Sequence, residues 1–76
     1  MENKKAFRIA FDFAERWKPC PDSLEEWEAA AREIGVICGQ NGSDPFLGDL
    51  IIAVYDNFDR EWKKRKNAMS IMMIIL

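Results

Sequence analysis

Two clusters of helix-breaking residues, Pro19-Cys20-Pro21-Asp22 and Gly39-Gln40-Asn41-Gly42-Ser43, cut this 76-residue chain into three segments. That division, more than any motif, limits what the chain can become. A single domain this small buries only about 60–65% of its unfolded surface. Its core therefore supplies only a few kcal/mol unless a disulfide, a metal, a partner chain or many large apolar groups reinforce it. The last device is visible: 49% of the residues are apolar, with three Trp and five Phe among them.

The middle segment carries the clearest helix signature. Ser23 and Glu26 form a capping box, and Glu25 and Glu26 face the positive end of the helix dipole. Leu24, Trp27, Ala31, Ile34 and Cys38 then recur at steps of three and four, and Gly39 is the expected stop. This predicts a helix over about 23–39. The third segment opens with Asp44 as N-cap and Pro45 at the first helical position. Its stripe is Leu47, Ile51, Tyr55, Phe58 and Trp62, widened by Leu50 and Val54. Two endings fit. Lys63, Lys64, Arg65 and Lys66 followed by Asn67 suit a helix end, yet the stripe continues through Met69, Met72 or Met73, and Leu76.

The first segment reads two ways. Phe7, Ile9, Phe11 and Phe13 alternate as in a strand, whereas Phe7, Ala10, Phe11, Ala14 and Trp17 share a helical face. A strand needs a partner, and residues 70–76 are the only other candidate, so a helix over about 3–18 is the better expectation. Ile9 and Phe13 would then fall off its main face, leaving it apolar on two sides, either central in the bundle or shared with another chain. The fold class is thus all-α: a single domain, residues 1–76, built as a three-helix bundle (about 3–18, 23–39, 45–67 or longer) with an apolar C-terminal tail.

Little in the sequence points to chemistry. Histidine, the commonest general base, is absent. There is no phosphate-binding glycine loop, paired-cysteine motif or serine elbow. Cys20 and Cys38 flank a helix that holds them about 20 Å apart at 1.5 Å per residue, too far for a disulfide. Cys38 is expected to be a buried small hydrophobe and Cys20 a loop residue. No catalytic residue, cofactor or metal is expected. A reducing, cytoplasmic setting fits the cysteine usage, and Arg8 and Asp12 interrupt what would otherwise resemble a leader peptide. The longest apolar run, residues 71–76, is far short of the roughly 20 residues that span a bilayer.

Charge is unevenly placed. Residues 20–61 carry a net −8 and residues 62–76 a net +4. The Ala30-Ala31-Arg32-Glu33-Ile34-Gly35-Val36 stretch looks like the start of a DNA-binding helix-turn-helix. Asp49, Asp56 and Asp59 on the following helix would repel phosphates, so nucleic acid is not the expected partner. The tail is the strongest functional clue. Met69, Met72, Met73 and Leu76 form one stripe and Ile71, Ile74 and Ile75 a second, and a helix end apolar all round needs cover. A second copy of the chain is favoured over a flap on its own core, a membrane surface or a foreign protein.

Pro21-Asp22-Ser23 leading to Glu26-Trp27-Glu28, then Asp44-Pro45-Phe46-Leu47 leading to Asp49-Leu50-Ile51-Ile52-Ala53-Val54, resembles a type of small helical protein of bacterial phages and mobile elements. The similarity covers about residues 11–62 and implies no activity or site residues. The resulting expectation is a non-enzymatic protein–protein interaction module, self-associating as a dimer through Ile9, Phe13, Met69, Ile71, Met72, Met73, Ile74, Ile75 and Leu76. The alternative is a surface-binding module in which Lys63, Lys64, Arg65 and Lys66 hold an anionic membrane or nucleic acid.

Overall fold

The computed structural model describes the backbone of residues 1–75 and the side chains of residues 1–67. Three helices are present, α1 (Asn3–Arg16), α2 (Leu24–Gln40) and α3 (Pro45–Ile75), with no strand among the described residues. The all-α three-helix fold is as expected, and the alternating Phe7–Phe13 stretch is helix.

The caps explain where α2 and α3 start. The Glu26 N–H donates to Ser23 Oγ at 3.1 Å. In return Glu26 Oε2 accepts from the Asp22 N–H at 2.8 Å, one residue further back than a strict capping box. At α3, Asp44 Oδ2 accepts from the Leu47 N–H at 3.0 Å, and Pro45 takes the first helical position. The stop of α2 differs from expectation. Gly39 lies inside the helix, and the turn is made by Gly42 (φ 66°) and Ser43 (φ 54°) in the left-handed region. Its shortest hydrogen bonds run from Asn41 Nδ2 to the Ile37 carbonyl at 2.7 Å and from the Ser43 N–H to the Cys38 carbonyl at 2.8 Å.

Ring pairs give the topology. Phe7 meets Phe46 at 5.4 Å and Phe13 meets Phe58 at 5.7 Å, so α1 and α3 run parallel and pack directly on each other, while α2 lies against α3 through Trp27 and Tyr55. The core consists of Ala6, Ala10 and Phe13 from α1, Ala30 and Ile37 from α2, Leu47, Ile51 and Phe58 from α3, and Cys20 from the first connection.

Two sequence expectations are overturned here. Phe13 does not face outward: it is 0% exposed, and Ile9 packs half-buried against the same core. The open aromatic residues of α1 are Phe7, at 55%, and Phe11, at 63%. The reason is size. Ala6 and Ala10 share the stripe of Phe13, and their small side chains let the backbones of α1 and α3 approach closely around one large ring. Cys20 is a loop residue, as expected, but the burial of the two cysteines differs from expectation. Cys20 is buried and Cys38 only half-buried, because the connection through Cys20 and Pro21 is packed into the core. Both thiols are free.

Glu33 ties α2 to the end of α1. It accepts from Arg16 Nε through one oxygen and from Trp17 Nε1, at 2.6 Å, through the other. Hydrogen bonds to a charged acceptor of this kind contribute about 1.5–3 kcal/mol where partly shielded from water. Glu33→Ala is therefore expected to lower unfolding stability by about 2 kcal/mol, read as a lower urea midpoint at unchanged slope. An unmoved midpoint would show that this clamp contributes nothing.

Candidate interaction surfaces

Helix α3 is 31 residues long and α1 only 14, so their lengths are about 46 and 21 Å at 1.5 Å per residue. Since the two run parallel from a common end, α3 continues well past α1. It does not stop at Asn67. The tail residues Met69, Ile71, Met72, Met73, Ile74, Ile75 and Leu76 lie outside the residues whose side chains are described.

Two grooves flank α3. The first, of about 470 Å³, lies between α1 and α3 and is lined by Phe7, Phe11, Ala14, Leu50, Val54 and Phe58 among others. Phe7 and Phe11 form its raised edge, while Phe58, which is buried, closes its floor. Charges border that edge in a definite order. Lys4 and Arg8 stand toward the start of α1 and Asp12 and Glu15 toward its end; Arg8 and Glu15 lie one turn either side of Phe11, Lys4 one turn from Phe7 and Asp12 one turn from Arg8. Glu15 makes only a long contact, 3.9 Å, with exposed Lys18.

The second groove, of about 540 Å³, opens between the start of α2 and the middle of α3. Trp27, Tyr55 and Trp62 form its walls, and Asp22, Asp56 and Asp59 stand on its rim. Trp27 and Tyr55 meet edge to face at 5.4 Å with planes 85° apart. All three aromatic residues are half-buried and all three acids exposed. Spacing on α3 explains the separation of the two grooves. At about 100° per residue, Tyr55, Asp59 and Trp62 fall on one flank and Leu50, Ala53 and Asn57 on the opposite one.

The four basic residues of the alternative reading lie in the interior of α3, where they have no helix end to complement. Each meets a group of its own chain: Lys63 with Asp59 at 2.9 Å, Lys64 with Glu61 at 3.4 Å, Arg65 with Asp22 at 4.0 Å, and Lys66 over the Trp62 ring at 5.0 Å. These pairs are exposed and each is worth about 0–1 kcal/mol. Replacing all four bases by Gln is expected to leave the helical circular-dichroism signal intact and to change stability by less than about 2 kcal/mol. A chain that fails to fold after this change would assign the basic run a structural role.

Among the described residues, no cluster of three or more metal-ligating side chains occurs, and no helix is long and apolar enough to cross a membrane. Apolarity alone does not distinguish Phe7 and Phe11, which are exposed, from Phe13, which is buried. The useful signal was the spacing of Ala6 and Ala10 with Phe13. Compared with known proteins, the chain matches no protein-family model, no curated protein and no solved structure.

Proposed function

We propose that this chain is a small protein–protein interaction module that pairs with a second copy of itself through α1 and the apolar sequence of its C-terminal end. The observation that carries this reading is the open aromatic ridge of Phe7 and Phe11 beside an apolar groove. Ridge and groove on one face are self-complementary, which a two-fold interface requires. The bordering charges favour a second copy over an unrelated partner. When two α1 helices pair antiparallel, Lys4 and Arg8 of each approach Asp12 and Glu15 of the other, so opposite signs meet at both ends.

Sedimentation equilibrium at micromolar concentration tests the proposal. A mass of twice the 8.8 kDa subunit is expected, and it should persist when Lys63, Lys64, Arg65 and Lys66 are replaced by Gln. A monomer across the accessible concentrations would overturn it.

A further inference from the structure

The groove between α2 and α3 lies on the flank of α3 away from the self-pairing face, and its chemistry is different. We infer that it receives a lysine or arginine side chain from a basic segment of another protein. Three half-buried rings, Trp27, Tyr55 and Trp62, form the walls of a cavity of about 540 Å³, and three carboxylates, Asp22, Asp56 and Asp59, stand at its edge. Aromatic faces attract cations through their quadrupole, and an adjacent carboxylate supplies the compensating charge.

Cations of the same chain stand against residues of its wall and rim. Lys66 Nζ stands 5.0 Å from the centre of the Trp62 ring, and Arg65 approaches Asp22 at 4.0 Å. Lys63 pairs with Asp59 at 2.9 Å, whereas Asp56 has no ion-pair partner among the described residues. The two ion pairs are exposed, so exchanging an internal cation for an incoming one there costs little. The edge-to-face contact of Trp27 and Tyr55 holds two walls at right angles before any ligand arrives. A pre-formed wall spares the incoming side chain the cost of ordering it. Residues 20–66, which supply all six groups together with the four bases that follow them, still carry a net −4, a charge that favours the approach of basic segments.

A labelled oligo-arginine peptide, titrated with the full chain and followed by fluorescence anisotropy, tests the assignment. Saturable binding that weakens with added salt is expected, with no binding of an oligo-glutamate peptide of equal length. Asp56→Asn combined with Asp59→Asn changes only exposed side chains and is expected to weaken binding about tenfold; Trp27→Leu is expected to weaken it about fivefold. Equal affinity for the double Asn variant, or no binding by the unaltered chain, would overturn the site. Sedimentation of the double Asn variant distinguishes the occupant. An unchanged mass supports a separate basic partner, while a fall in mass would show that the groove is filled by a second copy and overturn the partner assigned here.

Discussion

Phe13→Ala is expected to leave most of the chain unfolded at 25 °C. Phe13 is wholly buried and its ring lies 5.7 Å from that of Phe58, so the pair joins the two parallel helices near the end of α1. Removing a buried phenyl ring costs about 3–5 kcal/mol, from lost transfer energy and from the cavity left behind. A domain of this length is stabilised by only about 4–11 kcal/mol at typical values per residue, and small cores fall toward the lower end. Relaxation offers little relief, because the neighbours on the α1 stripe are Ala6 and Ala10, which have nothing to move into the gap. Circular dichroism at 222 nm should show a loss of the cooperative transition or a fall in its midpoint of more than ten degrees, each about 4–8 °C per kcal/mol for a domain of this size. Phe13→Leu should retain most of the stability. A melt close to that of the unaltered protein would show that α1 is not packed through this residue.

The second large effect is the opposite in kind. Phe11→Glu should abolish pairing and leave the subunit folded. Phe11 is 63% exposed, so the fold of one chain hardly depends on it. At a two-fold interface the substitution acts twice, removing two large apolar groups and placing two carboxylates where water is excluded. Each buried phenyl group is worth about 1.5–3 kcal/mol by area, so the combined loss is about 3–6 kcal/mol, a hundredfold or more in dissociation constant. Sedimentation at micromolar concentration should then read 8.8 kDa with an unchanged helical spectrum. Charge exchange supplies the orientation. Lys4→Glu alone should weaken pairing, and adding Glu15→Lys should restore it if α1 pairs antiparallel. Failure of the second change to restore what the first removed would reject that arrangement. Because dissociation lowers apparent stability by mass action, the melts of all these variants need comparison at one protein concentration.

Local chemistry was legible where a single residue decides the outcome. Ser23 with Glu26, and Asp44 with Pro45, mark the starts of α2 and α3 because caps and a first-turn proline act within four residues of themselves. The two breaker clusters delimit three helices for the same reason. The acid–aromatic groove was less legible: its charge excess was apparent, but Trp27 and Tyr55 are 28 positions apart, and nothing local brings them edge to edge.

What the sequence by itself determined is therefore the number, order and starting points of the helices, since these follow from hydrogen-bond satisfaction and backbone sterics over a few residues. Only the tertiary structure decided which face of α1 is inward, which cysteine is buried and where α2 turns. Those choices depend on how closely two helices can approach, and that distance is set by the sizes of side chains on both. Ala6 and Ala10 admit α3 and take Phe13 with them into the core; Phe7 and Phe11, no less apolar, are left outside.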